Sequence, residues 1–306
     1  MSTPEERLVL AELPLGDAPA PEHDDVLVAR RERLALLLRS KTFLGGAVLV
    51  GIWVFCAIFG TFVAPYDPLG ENLQEQLTDK LLSPSGSHLF GTDQLGRDVL
   101  SRVIVGAADI LTVAPLAALL GTALGTALGL LTGYFRGAVD DALMRVNDAF
   151  LAIPQVILGL LVLVALGPST WSLVVVIGVV FAPIIGRTVR AAVLAERELE
   201  YVQAARLRNE RAWYVMFGEI LPNVSAPIVV EFTVRLGYAI FVAATLSFLG
   251  FGIQPPAPDW GLQIKENYIL LSGGDWWPTL FPALAIATLV VGVNLVSDGI
   301  ARVFER

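Results

Sequence analysis

The apolar positions of this chain are gathered into long uncharged runs separated by short polar stretches. A helix that crosses the hydrocarbon core of a bilayer needs about 20 mostly apolar residues. Phe43–Ala64 is one such run, and Ile110–Phe135, rich in glycine and alanine, is a second. Ala149–Gly186 has no charge over a length too great for one crossing. The turn-forming Gly167-Pro168-Ser169-Thr170 divides it into two helices. Pro222–Gly250 is apolar except for Glu231 and Arg235, and Trp276–Ser297 closes the series. The pattern predicts an all-α integral membrane protein with six transmembrane helices. Pro154, Pro183, Pro227 and Pro282 fall inside these runs, where membrane helices tolerate proline as a kink.

Outside the runs the pattern divides the rest of the chain. Residues 1–25 carry seven acids, one arginine and four prolines, a composition that predicts a disordered or adaptively folded tail. Residues 26–42 read either as an amphipathic helix on the cytoplasmic membrane surface or as a continuation of the first membrane helix (43–64). Residues 65–106 form an outer segment, 187–221 the longest loop and 300–306 a short terminus. Basic residues decide the orientation. With a cytoplasmic amino terminus, 16 of the 21 lysines and arginines lie on that side, 4 lie outside and Arg235 lies within a span. The excess predicts that both termini face the cytoplasm.

Composition narrows the classes. The chain is 55% hydrophobic and 16% charged, and its one cysteine, Cys56, rules out an intrachain disulfide. A net charge of −8 argues against a nucleic-acid binder. Two distant histidines and one cysteine give no metal-site spacing. Gly121, Gly125 and Gly129 sit in a membrane run without the Lys-Ser/Thr ending of a phosphate loop, and their four-residue spacing suits close helix packing. No nucleophile–base pair stands out, so the chain does not read as an enzyme.

Four polar segments remain. The loop carries Glu200-Tyr201-Val202-Gln203-Ala204-Ala205-Arg206, then Asn209, then Ile220-Leu221-Pro222-Asn223. Its small alanines suit entry into a groove of another protein, with Glu200 and Arg206 as orienting charges; the alternative is a solvated helix. Outside, Asp93, Arg97, Asp98 and Arg102 are spaced for an ion-pair network that braces an extracytoplasmic gate or docking site, or only for a turn followed by a solvated helix start. Gly250-Phe251-Gly252-Ile253-Gln254-Pro255-Pro256, followed by Trp260, reads as a stiff outer gate or docking loop, or only as a span terminator. Asn294-Leu295-Val296-Ser297-Asp298-Gly299 closes the last run. Within the fifth run Glu231 and Arg235 are four apart, acid first, as a transport-path pair or a structural one.

Together, in this order and at these places, the segments resemble the C-type permease subunit of dipeptide and oligopeptide ABC importers. The likeness runs from about Phe43 to the end. It implies the type I ABC importer fold over 107–299, with Glu200, Tyr201, Val202, Ala204, Ala205, Arg206, Asn209, Leu221 and Pro222 coupling to an ATPase. At Asn209 the family has glycine, and asparagine is the residue best able to replace it in a left-handed turn. The implied partners are a homologous second permease subunit, one or two cytoplasmic ATP-binding subunits and an extracytoplasmic solute-binding protein. ATP and magnesium would bind those ATPases and no cofactor this chain. The implied function is import of dipeptides, oligopeptides or a related solute across the cytoplasmic membrane. Alternatives are nickel, haem or another small cargo, a self-sufficient secondary transporter using Glu231 and Asp109, or a membrane anchor.

Overall fold

A computed structural model describes residues 37–69 and 79–304. The acidic tail at 1–25 and most of 26–42 lie outside the described residues. Among those described there are only helices, turns and one isolated bridge. We number the main helices α1 (Lys41–Val63), α2 (Val99–Phe135), α3 (Ala138–Leu151), α4 (Gln155–Leu166), α5 (Thr170–Glu196), α6 (Glu200–Leu207), α7 (Ser225–Phe248), α8 (Trp260–Asn267) and α9 (Trp277–Phe304). Helix α1, α2, α5, α7 and α9 are each long and apolar enough to cross a membrane.

A sixth crossing, expected at the start of the 149–186 run, is present only if α3 and α4 count together as one bent span, and the kink expected at Pro154 is a sharp elbow. Helix α4 has 12 residues, about 18 Å at 1.5 Å per residue, and cannot cross alone. It joins α3 through a 92° bend over residues 152–154. The cause is Pro154, which lacks an N–H and pushes the preceding residue out of the helical region. Three other boundaries move. Helix α2 begins at Val99, so the last part of the 65–106 segment is helical. Helix α5 continues to Glu196, which shortens the loop expected over 187–221, and α9 runs on to Phe304. In each case the charged ends of the helices extend past the apolar run that revealed them.

The most extensive helix contact is between α2 and α5. Gly121, Gly125, Gly129 and Gly133 form a stripe on α2, against which Phe181, Ile185, Val189 and Val193 of α5 pack. A Cβ placed on Gly125 would stand 2.6 Å from the Ile185 Cβ, and one on Gly129 would stand 2.6 Å from the Val189 Cβ. The expected packing role of Gly121, Gly125 and Gly129 is therefore what the fold shows. Without a hydrophobic driving force between helices in lipid, such close backbone approach is a main source of association. Gly125→Val should part the seam. The expected loss is about 1–3 kcal/mol, the usual range for overpacking. A lowered unfolding midpoint of the purified chain in detergent would show it, and an unchanged midpoint would refute the seam's tightness.

Candidate functional site

The loop between α5 and α7 folds into a compact unit. Helix α6 turns back onto residues 212–223, whose middle, Val215–Ile220, is π-helical. Val202 and Ala205 are fully buried, together with Val215 and Ile220. Glu200, Gln203, Ala204 and Leu207 lie on the opposite, exposed face, and Leu207 is 85% exposed. This corrects one expectation. Ala205 does not enter a groove on another protein, because its own chain already covers it, and Val202 is covered likewise. Ala204 is the alanine left open. Leu221 is half-buried and Pro222 exposed at the end of the unit.

Asn209 takes φ 56°, the left-handed conformation that the family's glycine would supply. It ends α6 in a Schellman arrangement. The Asn209 N–H donates to the Arg206 carbonyl at 2.9 Å, and the Glu210 N–H donates to the Ala205 carbonyl at 3.2 Å. The two halves of the sequence motif also touch. The Tyr201 hydroxyl donates to Glu196 Oε1 at 2.6 Å and accepts from Asn223 Nδ2 at 3.0 Å. Burial, with the Glu196 carboxylate as a second cause, pushes the Tyr201 hydroxyl up to about 12, so it stays a proton donor.

Basic side chains tie the unit to the membrane helices. Arg197 Nη1 donates to the Gly133 and Tyr134 carbonyls at 3.0 and 2.8 Å, which caps the end of α2. The Arg206 guanidinium lies 4.7 Å from the centre of the Tyr134 ring. Arg190 holds Asp140 of α3 through two bonds, its Nε at 2.7 Å. Sequence reading missed these anchors, since nothing in the spacing of Arg197 or Arg190 announces a partner more than 45 residues away.

On the opposite face the ion-pair network exists, with changed membership. Arg97 pairs with Asp93 at 2.6 Å and with Glu266 at 2.6 Å, and Arg102 lies 3.5 Å from Glu266. Asp98 is not part of it. Its Oδ2 caps α2 by accepting from the Ser101 N–H at 2.8 Å, and its Oδ1 meets His88 Nδ1 at 2.9 Å. Glu266 escaped notice because it lies 169 residues from Arg97. Asp93, Arg97 and Asp98 are all buried, so they brace the rim and offer no docking surface. Trp260 needs the same correction. It is fully buried, and its Nε1 donates to the Val103 carbonyl at 2.8 Å. Only Gln254, Pro255 and Pro256 of that predicted site are exposed.

Asp259, the N-cap of α8, is also buried, and its oxygen accepts from the Leu262 N–H at 2.8 Å. Burial first, with the Asp109 carboxylate as a further cause, pushes it up to about 6. The native state then holds this proton more tightly than the unfolded chain, whose carboxyl has a pKa near 3.9. Stability from protonation is complete below about pH 4 and is lost as pH rises through 6. Lowering pH from 7 to 5 should therefore stabilise the outer rim by about 1 kcal/mol. Thermal unfolding in detergent should show that gain, and it should shrink in Asp259→Asn, which keeps the cap.

In the membrane, Arg235 Nε donates to Glu231 Oε2 at 2.9 Å, and Thr188 of α5 donates to Glu231 Oε1 at 2.8 Å. The expected pair thus forms, and it links α7 to α5.

Comparison with known proteins places this arrangement. Residues 125–306 match the family described as binding-protein-dependent transport system inner membrane component. Residues 31–84 match the N-terminal transmembrane domain of oligopeptide transport permease C. The dipeptide transport system permease protein DppC of Escherichia coli K12 is 40% identical over 269 residues, 86% of this chain and 88% of that one. The DppC of Alkalihalophilus pseudofirmus is 34% identical over 288 residues, 94% of this chain and 93% of that one. The di/tripeptide permease DppC of Pseudomonas aeruginosa is 37% identical over 293 residues, 92% and 94% of the two chains. Among solved structures, inward-facing conformations of the MetNI methionine ABC transporter contain a chain of like fold. Its TM-score is 0.55 at 20% identity, covering 67% of this chain and 97% of that one. The chain belongs to the binding-protein-dependent transport system inner membrane component family, as a multi-pass permease component of an ABC importer with the type I fold.

Proposed function

We propose that this chain imports dipeptides or short oligopeptides, driven by separate ATP-binding subunits that dock on the exposed face of α6. The observation that carries the reading is α6 itself. It is an eight-residue helix whose inner face is sealed by its own chain while Glu200, Gln203, Ala204 and Leu207 face outward. Tyr201, Arg197 and Arg206 connect it to the ends of α5 and α2. Closure of an ATPase pair around nucleotide would press on this face. The press would shift the spans between two rigid arrangements, inward-open and outward-open. The cargo reading draws on the names of the relatives, which are dipeptide and peptide permeases. A homologous second permease and an extracytoplasmic binding protein complete the proposed assembly.

The test is purification of the tagged chain from native membranes. A second permease and an ATP-binding protein should accompany it, and the reconstituted complex should take up dialanine only with ATP. In intact cells, a cysteine at Gln203 should resist an impermeant thiol reagent, and one at Lys265 should react. A chain that purifies alone and transports without ATP would overturn the proposal, and labelling at Gln203 from outside would overturn the orientation.

A further inference from the structure

Asn294 and Asp298 stand one turn apart on α9, and both are exposed. With Ser297 of the same helix and Gly237, Tyr238 and Phe241 of α7, they line a cavity of about 370 Å³. Gly237 makes the space, since a Cβ there would stand 2.6 Å from the Asn294 Oδ1. The Ser297 hydroxyl is engaged with that of Thr233 at 2.9 Å, which ties the two helices together. Arg235 lies 5.5 Å from the centre of the Tyr238 ring, but its charge is matched by Glu231. Asp298 forms no ion pair among the described residues, not even with Arg302 one turn further on. The uncompensated charge of this cavity is therefore the single carboxylate of Asp298.

Neither a carboxylate nor an amide on a membrane helix can face hydrocarbon without great cost, so this side of α9 must face water or protein. The shape decides between them. A concave space of this size, walled by aromatic rings with a few placed polar groups, is built like a small-molecule site. Along the axis, Asn294 and Asp298 lie roughly 25 and 31 Å from the start of α9 at 1.5 Å per residue. On the orientation proposed above, that places them toward the cytoplasmic side.

We propose that this cavity is a station on the transport path for the protonated amino end of a small peptide. This rests on the peptide-import reading given above. An ammonium group has three donors and no acceptor. It finds a counter-ion in Asp298, an acceptor in the Asn294 amide oxygen and a π-face in Tyr238. The Phe241 ring supplies the apolar wall for the first side chain. A peptide with a blocked amino group keeps one neutral N–H donor and loses the charge on which the Asp298 and Tyr238 contacts depend.

The experiment uses the assembled transporter in inverted membrane vesicles, with Cys56→Ala as background and, as reporter, a cysteine in place of Val290, which lines the same cavity one turn before Asn294. A trimethylammonium-ethyl and a sulfonatoethyl methanethiosulfonate are compared, each normalised to its rate with free cysteine. The cationic reagent should react about ten-fold faster than the anionic one, the low end of electrostatic focusing in a charged cleft. Adding Asp298→Asn should remove the preference and Asp298→Glu should keep it, the latter controlling for a folding defect. Dialanine should slow the labelling, and N-acetyl-dialanine should not. No reaction with either reagent would show that a partner subunit covers this face, and the proposal would fall. A preference that survives Asp298→Asn, or equal protection by both peptides, would also overturn it. Absence of dialanine uptake by the unaltered complex would instead overturn the cargo reading, a failure that the labelling ratio reports separately.

Discussion

Ala204→Trp should leave the membrane helices inserted and the partner permease bound while the ATPase is lost, or while its hydrolysis no longer depends on transport. The side chain of Ala204 points away from the chain's own packing, so an indole there meets only what docks on α6. Overpacking a fitted interface costs about 1–3 kcal/mol, which weakens a contact roughly 5- to 150-fold. Ala205→Trp is the contrasting variant. Its site is fully buried against the chain itself, so the indole must break the α6 unit from within. Co-purification should then show the two variants failing differently. Ala204→Trp keeps the protease resistance of the loop and loses the ATPase, while Ala205→Trp loses both. Normal ATP-dependent uptake by Ala204→Trp, at normal abundance, would mean that α6 is only a solvated helix.

Arg235→Ala should be the most destabilising change within the membrane. It leaves Glu231 with the Thr188 hydroxyl and no cation, in a place where both partners are about 15% exposed. Removing one member of a buried pair typically costs about 3–5 kcal/mol, because the remaining charge is left uncompensated. Replacing both residues with leucine removes that penalty, and the double variant should recover the abundance and unfolding midpoint of the unaltered chain. Single-variant stability equal to the unaltered chain would contradict the pair's role. Uptake by the double variant then decides its further meaning. Full transport marks a structural pair, and stable but inactive protein marks one that serves the path.

The parts of the molecule written in local periodicity were legible beforehand. Five of the crossings, the glycine stripe of α2, the Glu231–Arg235 pair and the left-handed turn at Asn209 depend on residues within a few positions of one another. What escaped depends on tertiary contact. Glu266 joins Arg97 across 169 residues, and no charge pattern near either one announces the other. Trp260 resembles an exposed aromatic anchor until the backbone of Val103 arrives to accept its N–H. Ala205 and Ala204 are chemically identical in the sequence, and only the return of 212–223 onto α6 distinguishes them. The elbow between α3 and α4 was legible in part: Pro154 announces a kink, but neither it nor hydropathy announces a turn of 92°.

The seam between α2 and α5 has a mechanical consequence. Where glycine faces backbone and branched side chains at separations that leave no slack, two helices cannot slide or rotate past one another by small amounts. They act as a single stiff beam running the thickness of the bilayer, clamped at its lower end by Arg197 on the carbonyls of Gly133 and Tyr134. Compliance must then reside elsewhere in the chain. The elbow at residues 152–154 is the natural joint, because it has no continuous helical hydrogen bonding to break. Force applied at the end that carries α6 would thus be conveyed across the membrane by the beam almost undiminished, while α3 and α4 take up the change in angle.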